Sequence, residues 1–309
     1  MWAKIKKKKW GKILVSVIIM VKIFVLVMII GAAHSDDSNL NDNATVKYIS
    51  AAMPESITFA GEAVPLDEFD VFEALDRELL SNAYFHSQTI RYIKLTTRYF
   101  AIIEPILKAK GIPDDFKYLA LAESGFNPRA VSPVFAVGLW QFMKGTAQDY
   151  GLIVNSEVDE RYHVKKSTYA ACNYLKDAYK RYGNWTMVAA SYNAGMAGID
   201  RQIDRQKTDS YYDLLLVEES QRYLFRILAL KQILENPEKY HFYISENEKY
   251  PVIPTRIVEV NGPVESFAQF AKDNGLSYKR LKDFNPWLRD NKLTNSAGKS
   301  YEIEIPVLN

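Results

Sequence analysis

The chain has 309 residues, of which 48% are hydrophobic and 25% are charged, so it can form one large domain or two ordinary ones. Its 14 glycines and 12 prolines are too few for a collagen-like or low-complexity chain. The formal net charge is +2, but residues 1–33 contain seven lysines and no acid. Without those seven charges, residues 34–309 carry −5, which argues against a nucleic-acid partner.

Cysteine and histidine are too sparse for a metal site or an internal disulfide. Cys172 is the single cysteine of the sequence, and the four histidines, at positions 34, 86, 163 and 241, are far apart in sequence. We therefore expect neither a metal ion nor an organic cofactor.

The N-terminus predicts export. Lysines are concentrated in residues 4–12, and residues 13–33 are apolar except for Lys22. This segment suits a signal peptide that is cleaved after the small residues 31–33. It equally suits a membrane anchor, since about 21 apolar residues can span a bilayer of ~30 Å. We expect a periplasmic or cell-envelope protein, either released or anchored in the inner membrane.

Residues 34–65 are polar and lack periodicity, which is typical of a linker. A helical pattern follows over residues 66–245. In its first helix we expect an apolar face formed by Phe69, Phe72, Leu75, Leu79 and Leu80. The further predicted helices are 85–110, 114–124, 138–148, 167–182, 184–194 and 220–234.

Local signals mark several of these helix ends. Gly111, followed closely by a proline, ends the second helix. Asp114 and Asp115 can cap the third, Ser167 the fifth, and Asn184 the sixth.

Residues 254–309 have a different pattern. Alternation predicts strands over 256–260 and 301–305, and the residues between them predict helices over 264–274 and 278–284. The fold class is therefore mainly α, with a small α+β domain of order βααβ at the C-terminus.

Glu123 is the first candidate for chemistry. On the predicted third helix it follows Phe116, Leu119 and Ala120 at spacings that place all four on one apolar face. A carboxyl there loses water, which raises its pKa, and a general acid needs a raised pKa to hold its proton near neutrality. The alternative is a glutamate at a helix end that reaches water or pairs with Arg129.

Two further pairs of residues could join it. Trp140 offers a flat ring beside the amide of Gln141, and Tyr192 and Asn193 close a predicted helix just before a glycine turn. A phenol and an amide there can orient a carboxyl or hold an N-acetyl group. Taken singly, each of these residues also suits an ordinary core.

The order of several short motifs over residues 111–234 indicates a function more specifically than any of these single residues does. These motifs are Glu123-Ser124, Phe126-Asn127-Pro128, 136–143, 146–152, Asp159-Glu160-Arg161, 167–171, Ser191-Tyr192-Asn193-Ala194-Gly195 and 222–230. Their order resembles that of the lytic murein transglycosylases, above all the membrane-bound D type. The departures are Ser191, where alanine is common, and Phe135, in the loop after Ser132.

This resemblance implies a goose-type-lysozyme-like helical catalytic domain over residues 66–245, with peptidoglycan glycan strands as its substrate. It implies one catalytic carboxyl, at Glu123, which protonates the oxygen between N-acetylmuramic acid and N-acetylglucosamine. The N-acetyl group of the substrate then stabilises the sugar cation. Glu123 finally takes the proton of the C6 hydroxyl, and a 1,6-anhydro ring closes without water.

The resemblance also assigns the neighbouring residues. Ser132 and Gln141 map onto substrate contacts, Tyr192 maps onto the residue that holds the catalytic glutamate, and Met143 and Asn193 line the cleft. For Asp159-Glu160-Arg161 we expect a structural ion pair instead of a part in the chemistry.

The acidic residues of the sequence also favour a mechanism with one catalytic carboxyl. Ordinary glycosidases need two carboxyls, about 5–5.5 Å apart for retention or ~6.5–9.5 Å for inversion. The other acids near the motifs are expected in caps or loops. The alternatives are a hydrolytic muramidase, which leaves reducing ends, and a non-catalytic cell-wall-binding protein.

The C-terminal unit resembles, weakly, a LysM module. The matching stretches are 258–260, Gly262, 267–270, 281, 285–286 and 303–306, although Gly262 lacks the Asp-Thr that usually follows. The resemblance implies binding to N-acetylglucosamine chains. The alternative is a degenerate copy that only packs against the catalytic domain.

Overall fold

The computed structural model describes residues 49–307. The predicted signal peptide or anchor over residues 1–33 lies outside this range, as does the first part of the predicted linker, residues 34–48. Among the described helices, none combines the length and the apolar character that crossing a bilayer requires.

Eight α-helices occupy residues 69–235 of the described chain. They are α1 (Phe69–Tyr84), α2 (His86–Lys110), α3 (Phe116–Ser124), α4 (Lys144–Asp149), α5 (Val164–Tyr182), α6 (Trp185–Ala194), α7 (Met196–Gln206) and α8 (Glu218–Glu235). Helix α8 packs against α1, α3 and α6 and is apolar on several sides, as expected of a central helix.

Two of the predicted helix ends are confirmed, the C-terminus of α2 and the N-terminus of α6. Gly111 ends α2 in the left-handed conformation, at φ 63°, and its N–H donates to the carbonyls of Leu107 and Lys108. Asn184 caps α6, where its side-chain oxygen accepts from the N–H of Met187 at 2.8 Å.

The predicted helix over 138–148 is wrong in its first half, because α4 begins only at Lys144. Gly138 and Gln141 have positive φ angles, of 85° and 49°, which a helix does not allow. A Cβ at position 138 would lie 1.9 Å from the carbonyl oxygen of Arg161, so the chain turns here to let two backbone segments meet.

Three predicted caps are also wrong. Helix α5 begins at Val164, so Ser167 lies inside it and donates its hydroxyl to the carbonyl of His163 at 2.8 Å. Asp114 and Asp115 do not cap α3 with their side chains. Asp114 pairs with Lys117, and Asp115 accepts from Lys231 and from the N–H of Ala60.

The last residues of the predicted linker, which the structure describes, are folded. Strands β1 (Thr58–Phe59) and β2 (Glu62–Ala63) form a short antiparallel hairpin. The ring of Phe59 is fully buried and meets Phe116 edge-on, with ring centroids 5.2 Å apart. Glu62 accepts hydrogen bonds from the first N–H groups of α6. Two-residue strands are too short to show alternation, which explains why the sequence pattern missed them.

The buried face of α1 agrees with the predicted one only in part. Leu75 and Leu79 are fully buried, as predicted. Phe69 and Phe72 are 78% and 42% exposed, and Val71 and the charged Glu78 are buried in their place.

The predicted βααβ order of the C-terminal region is confirmed. It consists of β3 (Thr255–Val260), α9 (Phe267–Asp273), α10 (Tyr278–Phe284) and β4 (Tyr301–Pro306). The two strands pair antiparallel, with Thr255 opposite Pro306 and Val260 opposite Tyr301. This region has an apolar cluster of its own, which includes Val137, Val158 and Tyr162 from the helical region.

The loop before α5 joins the two regions through main-chain hydrogen bonds. The N–H of Asp159 donates to the carbonyl of Trp287 at 2.9 Å, and the N–H of Arg289 donates to the carbonyl of Glu157 at 2.7 Å. The Glu157 carboxylate also accepts from the N–H of Thr294 at 2.9 Å. Both regions lie within one compact unit, Ser50–Asn309.

Candidate active site

Glu123 lies in the last turn of α3, where the helix meets α8. Helix α3 ends at Gly125, which has a φ of 59°, and a Cβ there would come within 2.8 Å of the Tyr92 ring. The end of α3 therefore lies directly against Tyr92, and only a glycine fits at position 125.

Burial raises the pKa of Glu123 to about 7. The Tyr223 hydroxyl and the positive charge of Arg226 act in the opposite direction, and the negative charge of Glu219 adds to the rise. A carboxyl in this environment is divided between its acid and base forms at neutral pH, as a group that must serve in both roles requires.

Tyr223 of α8 donates its hydroxyl hydrogen to Oε1 of Glu123. Burial, together with the neighbouring Glu123, holds the pKa of Tyr223 well above its usual value. Tyr223 therefore remains a neutral donor across the physiological range, and it fixes one oxygen of the carboxyl.

A cleft of about 640 Å³ opens in front of Glu123. Six of the residues that the sequence proposed for the site line it, namely Glu123, Ser132, Gln141, Met143, Tyr192 and Asn193. Sequence reasoning missed Tyr223, Glu219 and Arg226, which line the same cleft from α8.

Ser132 and Gln141 shape the wall of the cleft. The Ser132 hydroxyl oxygen accepts from the N–H of Ala136 at 3.0 Å, which closes a tight turn. The Gln141 amide donates to the carbonyl of Gly138 at 2.8 Å, which holds the next turn. On the same wall, Met143 is 46% exposed.

The hydroxyl of Tyr192, the residue expected to hold Glu123, donates to a main-chain carbonyl. The acceptor is the carbonyl of Trp140 at 2.7 Å, whereas the hydrogen bond to Glu123 comes from Tyr223. Tyr192 thus fastens α6 to the cleft wall. Tyr192 of α6 and Tyr223 of α8 both line the cleft. The sequence motif could not show which of the two hydroxyls donates to Glu123.

The polar side-chain groups of Trp140 and Asn193 also form hydrogen bonds with other residues of the protein. Trp140 is fully buried, and its indole N–H donates to the Thr168 hydroxyl at 2.9 Å, so the predicted stacking face is covered. The side-chain oxygen of Asn193 accepts from the Ser220 hydroxyl at 2.6 Å, which ties α6 to the start of α8.

The expected ion pair within Asp159-Glu160-Arg161 is present. Arg161 and Asp159 are both buried, and Nη2 of Arg161 lies 2.7 Å from Oδ2 of Asp159. Nη1 of Arg161 also donates to the carbonyls of Phe135 and Phe142, both at 3.2 Å. Through Arg161 the loop that docks the C-terminal region therefore also holds the cleft wall.

Within residues 49–307, no group of three or more His, Cys, Asp or Glu side chains lies close enough to hold a metal ion. Cys172 is buried, and burial raises the pKa of its thiol to about 12.

Residues 100–215 match the family model of the transglycosylase SLT domain. The part of the chain that contains Glu123 is therefore similar to the transglycosylase SLT domain. Residues 256–309 match the soluble lytic transglycosylase C-terminal LysM-like domain, so the predicted resemblance and fold class are confirmed. The match to the SLT domain ends before Glu219, Tyr223 and Arg226.

Two sequence relatives are membrane-bound lytic murein transglycosylases D, from Escherichia coli strains K12 and CFT073. Each is 30% identical over 239 residues, which cover 76% of this chain and 51% of the relative. The chain thus spans about half the length of these curated relatives. Among solved structures, the 70 kDa soluble lytic transglycosylase of Escherichia coli aligns at 22% identity and a TM-score of 0.39, over 50% of this chain and 27% of that one.

Proposed function

We propose that this chain is a peptidoglycan lytic transglycosylase. It cleaves the β-1,4 bond between N-acetylmuramic acid and N-acetylglucosamine and leaves a 1,6-anhydro end. The observation that carries this proposal is the Glu123 carboxyl, which combines a pKa of about 7, a donor hydrogen bond from Tyr223 and a position in an open cleft of the SLT domain. The names of the relatives support murein as the substrate.

The first step is general acid catalysis. The protonated fraction of Glu123 donates to the bridging oxygen while the bond from that oxygen to C1 of the muramyl residue breaks. The new carboxylate is stabilised by the Tyr223 hydroxyl and by the positive charge of Arg226. The N-acetyl group of the substrate stabilises the sugar cation, as the family resemblance implies.

The second step returns the proton to Glu123. The carboxylate takes the proton of the muramyl C6 hydroxyl while O6 forms a bond to C1. One proton has then moved from O6 to the leaving oxygen, and Glu123 regains its starting form. No water is consumed, so one carboxyl is sufficient.

Glu219 provides the reason to keep hydrolysis as a second candidate. It is an exposed carboxylate that lines the same cleft, and a hydrolase of this fold could use it to activate water. The two mechanisms differ in what they require. Transglycosylation predicts that Glu219→Gln retains turnover and anhydro products, whereas hydrolysis by a carboxyl pair predicts that this variant is inactive.

The test of the proposal is the release of soluble fragments from purified sacculi by the wild-type chain and by Glu123→Gln. We expect the variant to lose at least about 100-fold in rate, which is the range of general acid–base catalysis. Glu73→Gln, an exposed position of α1, serves as the charge-matched control. Similar rates for wild type and Glu123→Gln would exclude the proposed role of this carboxyl.

For the LysM-like domain, the contacts favour packing against the SLT domain over free glycan binding. The loop between α10 and β4 supplies the main-chain groups of Trp287, Arg289 and Thr294, which contact the backbone of Asp159 and both the backbone and the carboxylate of Glu157. We infer that this domain stabilises the loop that Arg161 connects to the cleft wall. We further infer a cell-envelope location, supported by the murein substrate, with residues 13–33 as the proposed signal or inner-membrane anchor.

A further inference from the structure

Phe135 has an unusual backbone conformation for a large side chain. Its φ is 64°, in the left-handed region that favours glycine and disfavours bulky L-residues. Such conformations persist only where the surrounding structure enforces them, and they concentrate at binding and catalytic sites.

Four hydrogen bonds enforce this conformation. The N–H of Phe135 donates to the carbonyl of Ser132 at 2.9 Å, and Ser132 and Ala136 are joined in both directions, at 2.9 and 3.0 Å. The carbonyl of Phe135 accepts from Nη1 of the buried Arg161 at 3.2 Å. The turn is therefore held at both ends and cannot easily relax around its strained residue.

The ring of Phe135 does not offset this strain by burial, because the residue is 74% exposed. Its neighbours Val134 and Ala136 line the cleft, and Val134 is itself 66% exposed. The turn thus presents an apolar side chain to solvent at the edge of the cleft that contains Glu123.

We propose that Phe135 is a substrate-contacting residue, whose ring forms an apolar platform for a sugar ring of the glycan strand at the mouth of the cleft. This inference rests on the proposed function. Sugar rings carry apolar C–H faces, and an aromatic ring buries area against such a face at little cost in side-chain freedom. The strand is the occupant because the platform continues the wall of the cleft that holds the scissile bond.

The variants Phe135→Gly and Phe135→Asn separate the ring from the turn, because both residues adopt positive φ readily. Removing the strain is expected to raise the melting temperature by about 2 °C. Removing the platform is expected to raise KM for polymeric glycan about three- to tenfold, with kcat unchanged. Phe135→Tyr keeps the ring, so its KM should remain within about twofold of the wild-type value.

Phe69→Ala provides the matched control, because Phe69 is an equally exposed phenylalanine on α1 without a strained backbone. Phe69→Ala should change neither the melting temperature nor KM. A stabilised Phe135→Gly protein with an unchanged KM would overturn the proposal, since the ring would then bind nothing. A lower melting temperature would also overturn it, because the ring would then pack on the protein.

A binding measurement keeps this test independent of turnover. Glu123→Gln, with and without Phe135→Gly, is sedimented with undigested sacculi. We expect the double variant to bind about three- to tenfold more weakly. Equal binding would contradict the platform, whereas an inactive wild-type chain with the expected difference in binding would contradict only the proposed reaction.

Discussion

Glu123 sits on the apolar face of α3, yet the proposed mechanism requires its carboxyl to be ionised after the first step. The apolar position could be predicted, because the helical spacing of Phe116, Leu119 and Ala120 extends to it. Its partner Tyr223 could not, since it lies 100 residues further along the chain, at a position where a tyrosine suits any helix core.

Glu123→Gln should stabilise the protein at alkaline pH. The folded pKa of about 7 is above the usual 4.5, so the folded state binds more protons than the unfolded state between these values. Wild-type stability therefore falls as pH rises from 4.5 through 7. Chemical denaturation should find the variant more stable by about 1–3 kcal/mol at pH 8, and no different below pH 4.5. A constant difference across this range would contradict the raised pKa.

Tyr223→Phe should move the alkaline limb of the pH–rate profile upward. The Tyr223 hydroxyl lowers the pKa of Glu123, so its removal leaves the carboxyl protonated to higher pH. Turnover should fall about 10- to 100-fold, because the carboxylate formed in the first step loses its donor. In Tyr192→Phe the limb should stay in place, because that hydroxyl donates to Trp140. A shift in the Tyr192 variant alone would reverse the two roles.

At the scale of elements, a buried charge joins α1 to α8. Glu78 is only 2% exposed, and its carboxylate lies 2.5 Å from Nε of Arg222 and 3.8 Å from Nε of Arg226. The sequence did not reveal this contact, because the exposed Phe69 and Phe72 shifted the predicted apolar face of α1 away from Glu78.

Glu78→Ala should destabilise the protein by about 2–3 kcal/mol, since it leaves Arg222 and Arg226 without their buried partner. This value is below that for a fully buried pair because Arg222 is 29% exposed. Urea unfolding measures the loss, and Glu73→Ala on the exposed side of α1 provides the comparison. Equal stability of the two variants would mean that the pair contributes nothing to the packing of α1 on α8.

At the scale of the whole molecule, the sequence predicted the order of the two regions but not their docking. The βααβ pattern and the helical pattern are local, and both could be found by periodicity. The docking uses main-chain groups of Glu157, Asp159 and Trp287, which every residue type has. It also uses an apolar cluster that includes Val137, Val158 and Tyr162, residue types that suit any core, so the sequence does not mark the contact. The sequence pattern does not mark the hairpin over residues 58–63 either, because its two-residue strands are too short to show alternation.

His163 makes this docking sensitive to acid. Its ring stacks on Trp287 with centroids 5.6 Å apart, and burial, with the neighbouring Lys166 and Lys165, lowers its pKa to about 3. The unfolded state then binds more protons than the folded state, so stability falls as pH drops from about 6.5 toward 3.

His163→Phe keeps a ring against Trp287 and removes the titration. Between pH 7 and pH 4.5, thermal unfolding should show that wild type loses about 1–2 kcal/mol more than this variant. His86→Gln, at an exposed histidine, should behave like wild type. If the His163 variant lost as much stability as wild type, the acid sensitivity would have another origin.

The reaction of Glu123 is tested most directly by mass spectrometry of the fragments that the full chain releases from purified sacculi, with Glu123→Gln as control. When the carboxylate takes the proton of the C6 hydroxyl, O6 bonds to C1 and closes an anhydro ring. The fragments should therefore be lighter by one water molecule than hydrolysis products, and the variant should release none. Fragments with reducing muramic acid ends would contradict the account and identify the reaction as hydrolysis.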